Sequence, residues 1–174
     1  VQDLNRLSYN SFISHLRKIN LPMDSSAKVV KPRLLHGSQW GIIDPVDTPD
    51  GGNVGFHKHM AISTSITSGC SGYPMMNFMR SICKMKLLSE CNSKSLYNVT
   101  KILINGSWIG VIDNPQEIIR VIKKYKRNGL LPIYNSATWN IKKNEIIIFT
   151  DSGRLCRPIF YIEDGNVSFK KKQI

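Results

Sequence analysis

Trp40-Gly41-Ile42-Ile43-Asp44-Pro45-Val46-Asp47-Thr48-Pro49-Asp50-Gly51-Gly52-Asn53-Val54-Gly55 crowds two prolines, four glycines and three carboxylates behind a short apolar run. Pro45 and Pro49 fix φ and remove backbone donors, Asp50-Gly51 is a turn pair, and glycine permits close backbone approach. Such a stretch is neither helix nor ordinary strand. A chain keeps so rigid and bare a loop mainly where something packs directly on its backbone.

Around this stretch the chain has 174 residues, 41% of them hydrophobic, enough for one domain or two small ones with real cores. Twenty-four Lys and Arg against twelve Asp and Glu give a formal net charge of +12. A polyanion, nucleic acid first, suits that balance; neutralisation by acidic neighbouring subunits is the alternative. Residues 1 to 72 carry net +2 and residues 73 to 174 net +10, which suggests two segments with different work. Cys70, Cys83, Cys91 and Cys156 form no C-x-x-C pair, so reduced thiols in an intracellular protein are expected. The sequons at Asn98, Asn105 and Asn166 are accordingly expected to be silent. No apolar run reaches the ~18 residues of a membrane span, and no signal peptide is visible. Val1 leads straight into a patterned helix and the chain stops soon after Phe169, so a piece of a larger polypeptide is expected.

Along the chain, Phe12, Ile13, Leu16 and Ile19 predict a helix over 8–19, stopped by Pro22. Residues 23–31 read as a mobile loop tip and residues 31–36 as extended, because Pro32 biases Lys31 away from helix. A strand is expected over 57–67, a flexible joint over 68–74, and a methionine-rich helix over 75–88 whose methionines fill a core. Asn105-Gly106 between 99–104 and 108–112 is the strongest hairpin signal. Asn114-Pro115-Gln116-Glu117 opens a helix with Asn114 as N-cap, and Asn128-Gly129 closes it. Further strands are expected at 137–141, 145–149 and 154–162, with a tight turn at 151–153. The fold class is α+β: a mixed helix, loop and strand segment, 1–72, followed by a small α+β unit, 73–174.

Asp44, Asp47 and Asp50 invite a cation, but the prolines hold the backbone extended and no calcium-loop pattern is present, so no metal site is expected. His57-x-His59 would share one strand face without a third zinc ligand. No catalytic residue is assigned. Arg6, His15, Arg17, Lys18, Lys28, Lys31 and Arg33 border the first helix and its loop as a strip able to face phosphates, against the alternative of a solvated face. For Lys123, Lys124, Lys126, Arg127 and the lysines at 170–172 a solvated outer face is the favoured reading.

Leu4-Asn5-Arg6, Ser14-His15-Leu16-Arg17, Lys31-Pro32-Arg33, Leu35-His36, Trp40-Gly41, Pro45-Val46-Asp47-Thr48-Pro49-Asp50-Gly51 and Gly55, in this order and spacing, resemble the fork region of the second-largest subunit of multisubunit DNA-directed RNA polymerases. Asn105-Gly106-Ser107-Trp108-Ile109-Gly110, Asn114-Pro115, Thr150-Asp151-Ser152-Gly153-Arg154 and Arg157-Pro158 resemble the adjoining external domain of its archaeal and eukaryotic form. The resemblance implies that residues 23–31 are the fork loop near the point of strand separation. Gln2, His15, Arg17 and Lys18 would line the channel beside the RNA–DNA hybrid, with Lys28, Lys31 and Arg33 also close to nucleic acid. Asp47, Asp50, Gly51 and Asn53 would belong to a loop bracing that wall. The parent assembly performs template-directed nucleotidyl transfer with magnesium held mainly by the largest subunit, so this piece alone is expected to be inactive and to hold no cofactor. Implied partners are template DNA, the hybrid, the largest and other polymerase subunits, and no membrane. Implied locations are the nucleus for a cellular eukaryote, or host cytoplasm or virion for a large DNA virus. Departures are Asp44 for the usual Cys, Asp47 and Asp50 for glutamates, His59 for Asn, and Asp24-Ser25-Ser26-Ala27 in place of fork-loop glycines. The alternative functions are a free-standing basic nucleic-acid-binding module and a purely structural interaction segment.

Overall fold

A computed structural model describes residues 2–163 and 165–168. Val1, Phe169 and Lys170, Lys171 and Lys172 lie outside the described residues. The chain divides into two compact units, residues 1–65 with 155–174, and residues 66–154. The boundary expected from composition lies at 72/73 instead. From Leu155 the chain returns to the first unit, a long-range arrangement that no local composition shift marks.

In the first unit, α1 (Tyr9–Leu16) starts at Ser8, whose hydroxyl accepts from the Ser11 N–H while the Ser11 hydroxyl accepts from the Ser8 N–H. The helix is shorter than expected. Ile19 lies in β1 (Lys18–Asn20), which pairs antiparallel with β2 (His57–His59) in the register Lys18–His59, Ile19–Lys58 and Asn20–His57. A distant backbone edge has overridden helical spacing. Lys31–Arg33 form a 3-10 turn rather than extended chain, closed by Arg33 N–H to Val30 O at 2.9 Å. The expected strand over 57–67 is likewise broken. Ile43 bridges to Met60, Thr64 turns back onto Ala61, and only Ser65–Ile66 resumes as β3.

Phe56, 1% exposed, is the only large apolar side chain fully buried among the described residues of this unit, whereas Leu7, Trp40, Val46 and Ile62 are largely exposed. Polar clasps therefore do much of the holding here. The Arg33 guanidinium lies 3.9 Å over the Phe56 ring and donates to the carbonyls of Gly52 (2.7 Å), Val54 (2.8 Å), Ser25 (3.1 Å) and Ala27 (3.5 Å). Only a planar fork can reach both loops at once.

The second unit has a conventional core. It contains α2 (Gly72–Ser81), β4 (Lys86–Leu87), β5 (Thr100–Ile104), β6 (Ser107–Ile112), α3 (Pro115–Arg127), β7 (Ser136–Asn140) and β8 (Glu145–Phe149). The five strands form a mixed sheet in the order β4-β6-β5-β8-β7, with β5 and β8 parallel and the other pairs antiparallel. Period-two alternation puts Ile102, Ile104, Ile146 and Ile148 in the core, where they meet Met75, Met79, Ile118 and Ile122 from the two helices. Each such buried side chain contributes about 1.5–3 kcal/mol.

Asn105 (φ 49) and Gly106 (φ 85) make the expected two-residue hairpin turn, whose two left-handed residues match the strand twist. Asn114 caps α3 by accepting from Glu117 N–H at 3.4 Å, as its sequence implies. The methionine-rich helix differs from expectation. It starts at Gly72 under a Ser71 cap, tolerating Pro74 in its first turn, and stops before Lys84, which is left-handed at φ 53. The pattern over 82–88 seeds an edge strand instead. The strand expected over 154–162 is broken into β9 (Leu155–Cys156) and β10 (Ile162–Glu163), and the Gly153 N–H bonds to Thr67 O rather than closing a hairpin on β8.

Candidate nucleic-acid interface

Two strands set the geometry. The 40–55 stretch runs along the free edge of β2, with Asp44 N–H donating to His59 O (2.8 Å) and Ala61 N–H to Ile42 O (3.0 Å). On the other edge of β2 lies β1, and Met60 N–H donates to Arg17 O at 3.0 Å. The proline- and glycine-rich loop is thus a brace behind a short sheet whose other side carries basic residues.

The brace is internally determined. Asp44 Oδ1 accepts from Val46 N–H (2.8 Å) and Asp47 N–H (3.1 Å), and these two bonds, the Val46 bond first, hold its carboxyl below the usual carboxylate range. This gives Asp44 a role: it is the acceptor of an Asx turn at Pro45. The Thr48 hydroxyl donates to His57 O and accepts from Gly55 N–H, each at 2.9 Å. Gly55 has φ +74, and a Cβ there would fall on the backbone of Arg33. Lys58 is buried and donates to Leu34 O at 3.3 Å. Asp50 precedes the 3-10 turn Gly51–Asn53, which Asn53 ends, and the Asp50 side chain makes no cap bond to it.

Gln2, His15 and Lys18 are brought together on a cleft of about 550 Å³, together with Asp3, Asn5, Arg6, Ser14 and His59. His15 Nδ1 accepts from Asn5 N–H (3.0 Å), so its proton sits on Nε2 and donates to Gln2 Oε1 (3.0 Å). Arg6 lies 4.6 Å over the Phe12 ring. Lys28 and Lys31 are exposed on the adjoining loop. Arg17 and Arg33 are turned to backbone: Arg17 Nη2 donates to Ala61 O (2.6 Å) and Thr64 O (3.0 Å), and Arg33 holds its four carbonyls.

His59 is a titratable cleft residue to which sequence reading gives no nucleic-acid role. Its Nδ1 lies 3.0 Å from Asp47 O and 3.2 Å from Asp47 Oδ1, while Ser14 Oγ donates to Asp47 Oδ2 at 3.4 Å. The replacement of the resembling family's Asn by His at this position is the usable signal. Among the described residues no group of three or more His, Cys, Asp or Glu side chains is gathered for a metal ion, and no helix is long and apolar enough to cross a membrane.

Residues 2–66 match the family model RNA polymerase Rpb2, domain 3, and residues 102–163 match RNA polymerase Rpb2, domain 4. The chain belongs to the Rpb2 family. Its Rpb2 relatives include DNA-directed RNA polymerase II subunit 2 of Arabidopsis thaliana, 35% identical over 99% of this chain and 14% of the relative. DNA-directed RNA polymerase III subunit RPC2 of Drosophila melanogaster is 34% identical over 99% of this chain and 15% of its own length. DNA-directed RNA polymerase subunit 2 of Acanthamoeba polyphaga mimivirus is 31% identical with the same two coverages. The chain therefore spans about one seventh of the curated relatives it matches. The basic cleft and its brace both lie within the domain 3 match, and the sheet strands β6 to β8 with α3 lie within the domain 4 match.

Proposed function

We propose that this chain is part of the second-largest subunit of a DNA-directed RNA polymerase and that its first unit lines the nucleic-acid channel during template-directed RNA synthesis. The observation that carries the reading is the cleft of Gln2, His15 and Lys18, set on a braced two-stranded sheet inside a match to Rpb2 domain 3. Lys18, Lys28 and Lys31 supply phosphate contacts, since their ammonium groups have no ion-pair or hydrogen-bond partner among the described residues. Arg17 and Arg33 support the wall by fixing its carbonyls, and Asp47, Asp50, Gly51 and Asn53 shape the brace. Partners are template DNA, the RNA–DNA hybrid, the largest subunit and the other subunits of the enzyme. The setting is intracellular: a nucleus, or the cytoplasm or virion of a large DNA virus.

Nucleotidyl transfer itself is assigned to the assembly, with magnesium held mainly by the largest subunit. Asp44 and Asp47 do not fit that ion, because Asp44 is committed to its own turn and Asp47 to Ser14 and His59. The test is the salt dependence of hybrid binding by the assembled polymerase. Lys18→Ala, Lys28→Ala or Lys31→Ala is expected to lower the slope of log K against log salt by about 0.7–0.9 per lost phosphate contact. Unchanged slopes in all three variants contradict the reading.

A further inference from the structure

Lys18 and His59 are direct partners in the β1–β2 register, so their side chains stand on one face of the sheet, and both line the cleft. An ammonium and a ring nitrogen side by side on one sheet face can both reach a single anion. The His59 ring is held in one orientation. Both groups at its Nδ1, the Asp47 carbonyl and carboxylate, are acceptors, so Nδ1 carries a proton and Nε2 is the remaining polar atom. Ser14 Oγ fixes the second oxygen of Asp47 from α1. The ring is mostly buried, with its side chain 12% exposed, and is therefore pre-oriented rather than free to swing.

Asp47 balances the charge of a protonated His59, whereas the Lys18 ammonium has no ion-pair or hydrogen-bond partner among the described residues. From the loop, Asp47 is bonded to His59 and Ser14, and Asp44 is bonded to its own turn. From α1, His15 is engaged at both ring nitrogens by Asn5 and Gln2. From the N-terminal segment come Arg6, stacked on Phe12, and Asp3 on the cleft wall.

We propose that Lys18 and His59 form a two-point clamp for a backbone phosphate of the nucleic-acid strand in this cleft, with Asp47 as the positioning residue of His59. Lys18 contributes a permanent ammonium. His59, protonated on Nε2, contributes a donor, whereas the neutral ring presents Nε2 as an acceptor that repels phosphate. The clamp rests on the nucleic-acid reading of the cleft, and it adds a contact that depends on the protonation of His59.

The test uses the polymerase assembled with the full-length second subunit and a fluorescent RNA–DNA hybrid, at fixed salt between pH 6 and pH 8. Wild-type affinity is expected to fall as pH rises. His59→Asn and His59→Gln are expected to flatten that dependence and to weaken binding at pH 6 by about fivefold to tenfold, the scale of one charge-assisted hydrogen bond. Lys18→Ala should reduce the salt slope and leave the pH dependence, and Asp47→Asn, which frees the His59 ring, should change it. A pH profile identical in wild type and both His59 variants overturns the clamp, as does an effect on nucleotide KM alone with hybrid affinity unchanged. If Lys18→Ala, Lys28→Ala and Lys31→Ala also leave the salt slope untouched, the nucleic-acid reading fails with it; if any of them lowers the slope, only the clamp fails.

Discussion

Replacing Gly55 by Ala should unfasten the brace from the loop it holds. A Cβ at Gly55 would lie 2.5 Å from the Arg33 carbonyl oxygen and 2.8 Å from its carbonyl carbon, with the Arg33 Cα nearer still. All three are main-chain atoms, so no side chain can swing aside, and the two backbone segments must part by about 1 Å to restore ordinary van der Waals distance. The backbone at φ +74 adds about 1–2 kcal/mol for an L residue, and the overlap about 1–3 kcal/mol. A central value of about 3 kcal/mol corresponds to roughly 150-fold. Gly51 supplies the control, because it has φ +81 but nothing within 4 Å of where an alanine methyl would sit, so Gly51→Ala carries the torsional cost alone. Amide hydrogen exchange in the assembled polymerase reads the effect at Leu21, which donates to Phe56 O, and at Gly55, which donates to Thr48 Oγ1. Loss of protection there by about two orders of magnitude in Gly55→Ala, and by about one or less in Gly51→Ala, is expected. Equal, small effects in the two variants would refute the close-approach argument.

Arg33→Lys keeps the charge but cannot span four carbonyls on two loops, so a loss of about 2 kcal/mol is expected, seen as faster proteolysis within 23–31; an unchanged rate contradicts the clasp. The Asp44 carboxyl is held below its ordinary value of 3.8 by the Val46 and Asp47 N–H groups. Its support of the turn is therefore complete above that value and lost as pH falls through the lowered one. Acid titration should release the amides of Val46 and Asp47 in wild type, and Asp44→Asn should remove that pH dependence. Burial pushes the Cys83 thiol up to about 11 from 9.0, so at pH 8 its thiolate is about 100-fold scarcer than that of an unperturbed thiol. Iodoacetamide should modify the exposed Cys70 far ahead of Cys83, and comparable rates would contradict the packing around Cys83.

The second unit was legible wherever the signal was local. Asn105-Gly106 requires two left-handed residues and received them, and Asn114-Pro115 carries both the cap and the first turn of α3. Where a partner comes from far along the chain, local pattern misled. Ile19 fits the helical spacing of Phe12, Ile13 and Leu16, yet β2, some forty residues later, draws Lys18–Asn20 into a strand. The same pairing is what sets His59 beside Lys18, a placement that local sequence hides, since His57-x-His59 by itself suggests only a zinc pair. Arg17 and Arg33 read as phosphate-facing cations, because composition records a charge but not the carbonyls that turn it inward. Asp44 reads in sequence as one of three clustered carboxylates, whereas its carboxylate serves its own Asx turn.

The most direct measurement is photo-crosslinking from a reactive nucleotide, placed along the RNA–DNA hybrid and the downstream fork, in the assembled polymerase. Adducts on the second subunit are expected at the cleft formed by Gln2, His15, Lys18 and His59, and on the loop carrying Lys28 and Lys31. Efficient adducts elsewhere on the subunit, with none on either of these surfaces at any probe position, would contradict a nucleic-acid channel built on the braced sheet.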